Sequence, residues 1–223
     1  MNKILIAIPC MGTVPVQFAE CLLNMDKPEG TKVCFKAGSL IYDARNLISL
    51  KAIQEGYDYV LWLDSDMTFP ADTLTRLLEY FKQTAPEMVT GLYFKRTAPV
   101  LPVIYDELAP PTKGEDGHLI GHLHEFVNYP ENVTFPVKGC GFGCVMTSVP
   151  LLKRVWDNFG PAFSPMPWFG EDISFCRRVN MLYEDDYEER GVQKTIWCDS
   201  RIKCGHIGSF LYTEELFKRS KKE

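Results

Sequence analysis

The segment Tyr57–Thr68 joins a short apolar run directly to two acidic residues, Asp64 and Asp66. The apolar run predicts a buried strand, and acids beside such a strand are costly to bury unless they are paired or bind a metal. Because residues i and i+2 of a strand point to the same side, both carboxylates are expected to aim at one point. Hard divalent cations such as Mg²⁺ and Mn²⁺ take oxygen ligands from carboxylates and from substrate phosphates. The segment therefore predicts a metal–phosphate site at the carboxyl end of a sheet strand, where open α/β sheets usually bind ligands.

Strand and helix patterns alternate through the N-terminal part of the chain. The predicted strands are Lys3–Pro9, Thr31–Lys36, Tyr57–Leu63 and Met88–Phe94. The predicted helices are Val14–Met25, a helix capped by Asp43 that runs to about Glu55, and Ala71–Gln83. This βαβαβαβ order implies a parallel sheet with right-handed crossovers.

The pattern changes after Lys95 and Arg96, a pair of cations that could hold a phosphate or an anionic acceptor and could equally be solvated. Residues 98–136 contain many prolines and short apolar pairs, with a hairpin predicted around Glu115–Gly117. The remaining predicted elements are a glycine-rich segment and strand Lys138–Thr147, a helix Pro150–Asn158, a helix of about ten residues opened by Gly170, short strands Thr195–Cys198 and Arg201–His206, and a charged helix or tail Thr213–Glu223.

The composition is typical of a soluble enzyme. A chain of 223 residues is long enough for one sizeable domain, and a net charge of −5 argues against broad electrostatic binding to nucleic acid. The eight cysteines lie mostly in apolar stretches without CxxC spacing, which favours reduced, buried thiols over disulfides or a zinc site. No apolar run is long enough to span a membrane, and the first residues predict a strand rather than a signal peptide. We therefore expect a cytoplasmic protein.

Several short motifs follow one another along the chain as an ordered set. They are Ile6-Ala7-Ile8-Pro9, Ala44-Arg45-Asn46, Leu63-Asp64-Ser65-Asp66, Gly139-Cys140-Gly141-Phe142-Gly143, Gly170-Glu171-Asp172 with Cys176-Arg177-Arg178, and Cys204-Gly205-His206-Ile207-Gly208. In this order the set resembles the GT-A-fold glycosyltransferases, close to family 2 and its relatives in bacteria and phages. The resemblance implies an α/β, Rossmann-like single domain whose mixed, mainly parallel central sheet is flanked by helices. It also implies transfer of a sugar from a nucleoside diphosphate sugar to an acceptor hydroxyl.

The resemblance assigns the N-terminal half of the chain to the sugar donor. Residues 1–97 would bind the nucleotide-sugar, residues 98–211 would bind the acceptor and carry catalysis, and residues 212–223 would form a charged tail on the same continuous domain. The donor-binding residues that it implies are Ile8, Pro9, Met11, Arg45, Asn46, Asp64, Ser65, Gly141 and Phe142. For Arg45, a surface salt bridge to Asp43 or a neighbouring residue is the competing interpretation. A UDP-sugar is the expected donor and a GDP-sugar the alternative, because Val33–Ser39 lacks the acid with which family 2 enzymes often read uracil.

The metal ligands and the catalytic base follow from the same resemblance. Mn²⁺ or Mg²⁺ is expected on Asp66 and His206, with Asp64 reaching it directly or through water, or contacting the ribose instead. Asp172 is the expected base that takes the acceptor proton in an inverting transfer, and Glu171 would bind acceptor hydroxyls or exchange roles with it. The competing interpretations are structural, because acids favour a helix N-terminus and a lone histidine is often only a hydrogen-bonding residue.

Other functions fit parts of the same pattern. Leu63–Thr68 also fits the first motif of haloacid-dehalogenase-type phosphohydrolases, with Asp64 as nucleophile and Asp66 as acid/base, although that motif normally lies on the first strand. A nucleotidyltransferase would share much of the layout and differ in its product, and a non-catalytic module would bind the sugar or nucleotide alone. The acceptor can be a glycan, a protein or a modified DNA base, and a retaining outcome stays open.

Overall fold

A seven-stranded mixed sheet runs through this computed structural model, which describes residues 2–38, 40–114, 117, 119–190, 196–208 and 211–220. Within these residues the strands are β1 Ile4–Cys10, β2 Lys32–Ala37, β3 Tyr59–Leu63, β4 Met67–Thr68, β5 Met88–Leu92, β6 Ile104–Lys113, β7 Leu119–Glu125, β8 Thr134–Val137, β9 Gly139–Cys140, β10 Cys144–Ser148, β11 Ile196–Lys203, β12 Gly205–Ile207 and β13 Leu211–Tyr212. The helices are α1 Val16–Asn24, α2 Ile41–Gln54, α3 Thr73–Thr84, α4 Val149–Phe159, α5 Glu171–Arg190 and α6 Glu214–Ser220.

The large sheet has the strand order β2-β1-β3-β10-β5-β11-β8. Strand β1 pairs in parallel with β2 and β3, and β5 pairs in parallel with β11. Strand β10 is antiparallel to both of its neighbours, and β8 is antiparallel to β11. All strands of this sheet except β10 and β8 therefore run in one direction, which confirms the expected mixed, mainly parallel sheet.

Strand β10 lies between two strands that the sequence placed in one parallel series. Val145 pairs with Trp62 of β3 on one side and with Thr90 of β5 on the other. The four strands predicted from the N-terminal pattern do run in one direction, but β3 and β5 are not neighbours, because β10 lies between them. Every residue of β10 is buried. An apolar run of this kind carries no signal for its direction or its neighbours, because both depend on pairing with distant strands.

Helices cover both faces of the sheet. Along β1, Ile4, Ile6 and Ile8 pack in one cluster with side chains of α1 and α3. The alternate residues Leu5 and Ala7 pack in a second cluster with side chains of α2, α4 and α5. This period of two is the one expected of a strand that is buried on both faces. The result is a three-layer α/β domain.

Two helix predictions are wrong in detail. Asp43 does not cap α2, because the helix begins at Ile41 with Leu40 in the cap position. Asp43 lies instead in the first turn, where an acid still interacts favourably with the helix dipole. Helix α5 has 20 residues rather than about ten. Its second half, Glu184–Arg190, is charged and has no apolar periodicity from which a helix could be predicted.

The hairpin predicted in residues 98–136 is confirmed. Strands β6 and β7 pair antiparallel from Tyr105 opposite Glu125 to Lys113 opposite Leu119, and β6 also pairs with β9. The predicted turn residues Glu115 and Asp116 lie outside the described residues. All eight cysteines are free thiols, as expected. None of the helices in the described ranges is long and apolar enough to cross a membrane.

Candidate active site

A cleft of about 530 Å³ opens at the carboxyl ends of β1, β3 and β5. The residues that line it are Pro9, Cys10, Met11, Ile41, Ala44, Asp64, Ser65, Asp66, Tyr93, Lys95, Arg96, Thr97, Val103, Tyr105, Asp172 and His206. This is the edge of the sheet at which the sequence predicted a ligand site. The cleft brings together side chains from both halves of the chain, including the two acids after β3 and the acid at the start of α5.

The acidic turn, Asp64–Asp66, follows the end of β3, and its two carboxylates diverge. Asp64 Oδ1 accepts a hydrogen bond of 2.7 Å from Arg45. Asp66 Oδ2 lies 2.7 Å from Arg96 Nη1 on another wall of the cleft. Both acids therefore face one cleft, as expected, but each carboxylate is paired with a different arginine. The chain turns before the second acid, so the period of two no longer applies.

Arg45 lies beneath the cleft and bridges two acids. Its side chain is 2% exposed, with Nη2 2.7 Å from Asp64 Oδ1 and Nη1 2.7 Å from Glu171 Oε1. The guanidinium also lies 5.1 Å from the ring centre of Phe142. The expected contact of Arg45 with the nucleotide is thus not what the structure shows, because both ends of its guanidinium fork are bound by carboxylates. The competing interpretation was right about a salt bridge but wrong about its place and partners, because the bridges are buried and join Arg45 to Asp64 and Glu171 rather than to Asp43.

His206 reaches the acidic turn through a small second sheet. Strand β12 pairs antiparallel with β4, which places His206 opposite Met67 and its Nε2 3.6 Å from Asp66 Oδ2. The other ring nitrogen, Nδ1, lies 2.9 Å from the carbonyl oxygen of Phe94. Because a carbonyl oxygen can only accept, Nδ1 donates a hydrogen to Phe94, and Nε2 faces the carboxylate of Asp66. A backbone partner of this kind commonly orients a metal-binding histidine.

The donor chemistry of Asp66 and His206 fits Mn²⁺ or Mg²⁺ as part of a site. Among the described residues, no group of three or more His, Cys, Asp and Glu side chains is arranged to hold a metal. Ions of this class often use one or two carboxylates and complete their coordination with substrate phosphates and water. Desolvation alone would raise the pKa of Asp66, but His206 and Arg96 outweigh it and lower that pKa below its ordinary value. The carboxylate is therefore ionised at neutral pH and available as a ligand.

Asp172 lies near the start of α5 and lines the same cleft. Its Oδ1 accepts a hydrogen bond of 2.7 Å from the backbone N–H of Ile173. Burial raises the pKa of Asp172 to about 6, with Arg45 opposing the change and Glu171 adding to it. A carboxyl group with a pKa near neutrality is suited to accept a proton. Glu171, by contrast, is occupied by Arg45 and is not among the residues that line the cleft.

The residues expected to bind the nucleotide separate into two groups. Pro9, Met11, Asp64 and Ser65 line the cleft. Withdrawal from water raises the pKa of Asp64 despite the opposing effect of Arg45. These four residues stay candidates for contact with the donor.

Three other expected nucleotide contacts have structural roles. Ile8 is 0% exposed and Phe142 is 1% exposed, and both pack in the core on opposite faces of the sheet. Asn46 uses its Oδ1 to accept a hydrogen bond of 2.8 Å from the backbone N–H of Phe163. Burial removes the side chains of Ile8 and Phe142 from contact with a nucleotide, because a short apolar run has the same local sequence in a core as in a pocket wall. Asn46 is half-buried, and its contact with the nucleotide stays a prediction.

Gly141 permits a close approach, but its neighbour is a tyrosine of the protein. A Cβ atom at Gly141 would lie 2.0 Å from Tyr93 Oη and 2.8 Å from Val103 Cγ1. Tyr93 Oη also accepts a hydrogen bond of 3.1 Å from Gly143 N–H. Gly141, named above among the donor-binding residues, therefore packs against Tyr93 and helps to hold this tyrosine at the cleft wall.

Three residues that line the cleft were not predicted from the sequence. Tyr93, Val103 and Tyr105 line it, and none was singled out in advance. Burial raises the pKa of Tyr105 above its ordinary value, so its hydroxyl stays protonated. The position of Tyr93 just beyond β5 was the available signal, because residues at the carboxyl ends of parallel strands tend to meet a ligand. Tyr105 lies in the hairpin, where no local pattern pointed to the cleft.

Comparison with known proteins supports one family. The family described as Glycosyl transferase family 2 matches residues 16–156, more than half of the chain. No functionally curated protein matches the sequence significantly.

Two solved structures, A197 and GalNAc-T7, support the fold. A197 from STIV superposes with a TM-score of 0.60 at 17% identity, covering 93% of this chain and 86% of A197. GalNAc-T7 with UDP, GalNAc and Mn²⁺ superposes with a TM-score of 0.57 at 10% identity, covering 92% of this chain and 43% of that chain. S. aureus TarS 1–349 in complex with UDP-GlcNAc has a TM-score of 0.49 at 15% identity, covering 80% of this chain and 53% of that chain.

The family match favours glycosyl transfer over the alternatives considered from the sequence. In a phosphohydrolase Asp64 would be the free nucleophile, whereas here Arg45 binds it. The nucleotidyltransferase and the non-catalytic module likewise find no support beside a glycosyltransferase family that spans the acidic turn. The sheet order, the cleft at its carboxyl edge and the family match together lead to one conclusion: the chain belongs to glycosyl transferase family 2 and is a glycosyltransferase of the GT-A fold.

Proposed function

We propose that the protein transfers a sugar from a nucleoside diphosphate sugar to an acceptor hydroxyl with the help of a divalent cation, inverting the anomeric centre. The observation that carries the proposal is a single cleft that contains both a candidate metal pair, Asp66 and His206, and a candidate base, Asp172. The two functions come from distant parts of the sequence. Residues 1–97 would supply Asp66 and the nucleotide-binding side, and residues 98–211 would supply His206, the base and the acceptor side.

The donor nucleotide would lie along the ends of β1 and β3. Pro9 and Met11 offer apolar surface for a base, and Ser65 offers a hydroxyl at the acidic turn. UDP is the first candidate and GDP the second. The solved GalNAc-T7 structure contains UDP and Mn²⁺, which makes UDP a reasonable starting point for a protein of the same fold.

Asp66 and His206 would hold Mn²⁺ or Mg²⁺. When bound, the cation would neutralise the charge that develops on the departing diphosphate. The backbone carbonyl of Phe94 orients the ring of His206 for this role as a metal ligand. Asp64 is held by Arg45 and would contact the donor with its other carboxylate oxygen or through water.

Asp172 would accept the proton of the attacking hydroxyl. Burial brings its pKa to about 6, so that it is mostly ionised at neutral pH but still basic enough to take a proton. Direct attack assisted by a single base inverts the anomeric centre. The hairpin of β6 and β7 adjoins the cleft through Tyr105 and would shape the acceptor pocket for a glycan, a protein or a modified DNA base.

The first test is thermal unfolding with UDP, GDP, ADP and CMP, each with and without Mn²⁺. A nucleotide at a hundredfold its Kd should stabilise the protein by about 2.7 kcal/mol. That corresponds to a rise in Tm of roughly 5–10 °C for a chain of this size. A Mn²⁺-dependent rise with one diphosphate, absent from Asp66→Ala, supports the proposal. No rise with any of these nucleotides contradicts it.

A further inference from the structure

Arg96 is the cleft cation that reaches the acidic turn from the solvent side. Its Nη1 lies 2.7 Å from Asp66 Oδ2 and 3.4 Å from the carbonyl oxygen of Ile207. The preceding residue, Lys95, is paired instead with Glu125 of β7, 2.5 Å away. Arg96 is thus bound to the same two segments, the acidic turn and β12, that carry the candidate metal ligands.

Two side chains converge on one carboxylate oxygen. Asp66 Oδ2 is 2.7 Å from Arg96 Nη1 and 3.6 Å from His206 Nε2. A divalent cation held between Asp66 and His206 would use this oxygen and would meet the guanidinium there. Arginine stays charged at any ordinary pH, so it can make way for another cation only by moving.

The backbone around Arg96 is held in place, whereas its guanidinium is exposed enough to move. The loop that carries it is closed at its base by a hydrogen bond of 2.8 Å from Lys95 N–H to the Leu101 carbonyl. The aliphatic stem rests on Gly208, where an added Cβ would lie 3.2 Å from Arg96 Cδ. The side chain is 47% exposed, and an ion pair in so much water is weak and readily exchanged.

We propose that Arg96 exchanges partners during donor binding: it holds Asp66 in the free protein and releases it when the phosphates of a nucleoside diphosphate are offered instead. The inference rests on the proposed function and adds a residue to it. A guanidinium fork matches phosphate oxygens well, so the diphosphate is as suitable a partner for Arg96 as the carboxylate of Asp66. The exchange makes metal and diphosphate cooperative, because each removes a competitor of the other, and such coupling is reciprocal.

The test measures the binding of each ligand alone, because Arg96→Gln should strengthen the binding of Mn²⁺ and weaken the binding of the nucleoside diphosphate. Binding of Mn²⁺ without nucleotide, followed by the paramagnetic resonance signal of free Mn²⁺, should tighten about fivefold or more once the competing cation is gone. Binding of UDP or GDP in EDTA, followed by calorimetry, should weaken about fivefold or more once the phosphate contact is lost. Binding of the nucleosides uridine and guanosine should not change.

Two further variants make the result specific. Arg96→Lys keeps the positive charge and should return the affinity for Mn²⁺ alone toward that of the wild type. Arg76→Gln removes an arginine that is 45% exposed and paired with Asp72, away from the cleft, and should change neither ligand. If Arg96→Gln weakens both ligands, Arg96 has a structural role, and if it changes neither, Arg96 is merely solvated. Either result overturns the inference. A wild-type protein that binds neither Mn²⁺ nor a diphosphate overturns the proposed function and this inference together.

Discussion

Arg45 of α2 and Glu171 at the start of α5 form an ion pair of 2.7 Å, although they are 126 positions apart in the sequence. The other end of the same guanidinium binds Asp64 at 2.7 Å. One buried side chain therefore joins the acidic turn to the helix that carries Asp172. This bridge, together with the sheet, therefore holds the candidate base Asp172 in position relative to the donor side of the cleft.

Removal of Arg45 should destabilise the protein. Arg45→Met leaves Asp64 and Glu171 without their shared partner, and breaking a buried pair in this way costs about 3 kcal/mol or more. Urea unfolding at pH 7 measures the loss. Arg76→Met is the matched control, because its exposed pair with Asp72 is worth less than about 1 kcal/mol. Equal losses in the two variants would show that the bridge under the cleft is no more important than a surface pair.

Asp172→Asn should slow transfer while leaving donor binding in place. Loss of a general base typically costs about 10²- to 10⁴-fold in rate. Release of nucleoside diphosphate from the donor measures the rate, and the Mn²⁺-dependent rise in Tm reports that the donor still binds. Asp157→Asn changes an exposed acid that pairs with Lys153 on α4 and serves as the control. An unchanged rate in Asp172→Asn would remove Asp172 from the mechanism.

The rate of transfer should depend on pH through Asp172. Because its pKa is about 6 and the ionised form is the base, kcat/KM should fall as pH drops below about 6, approaching tenfold per unit. Glu171 contributes to the raised pKa of Asp172, so Glu171→Gln should move this acidic limb to lower pH. A limb that stays in place in Glu171→Gln, or a flat profile in the wild type, would assign the proton transfer to another group.

The same carboxyl group should make stability depend on pH. The pKa of Asp172 is about 6 in the folded protein and 3.8 in its ordinary environment, so the folded state binds more protons between these values. Stability from this group is therefore greatest below pH 3.8 and is lost as pH rises through about 6. Asp172→Asn should gain free energy of unfolding over the wild type at pH 7.5, with a smaller gain at pH 4.5. Urea midpoints at the two pH values measure this, and a larger gain at pH 4.5 would show that the sign is wrong.

Gly141→Ala should destabilise the protein through Tyr93. The added Cβ would lie 2.0 Å from Tyr93 Oη, and such overpacking typically costs about 1–3 kcal/mol. Gly139→Ala should cost less, because its contact at 3.1 Å is with the flexible end of Leu108. Tyr93→Phe should reduce the loss caused by Gly141→Ala, which a double-mutant cycle in urea would detect. Additive losses would mean that the hydroxyl is not the obstacle.

The sequence alone determined the class of the fold and the enzyme family. Alternating apolar periods predicted the strands and helices of an α/β domain, and the structure confirms most of them. An ordered set of short motifs led to the glycosyltransferase resemblance that the family match confirms. Both signals are local, because a period or a motif is complete within about a dozen residues. That is why Asp66, Asp172 and His206 could be named as candidates from the sequence, and the structure then places all three at one cleft.

Only the tertiary structure decided which of these residues contact one another. It inserted β10 between β3 and β5, turned Asp64 toward Arg45 and Asp66 toward Arg96, and placed Phe142 in the core. These outcomes depend on strand pairing and on ion pairs between distant segments. A local pattern cannot encode them, because the same residues would show the same periodicity beside different neighbours. The partners of a buried charge are set by the cost of leaving it unpaired, and that cost exists only once the chain has folded around it.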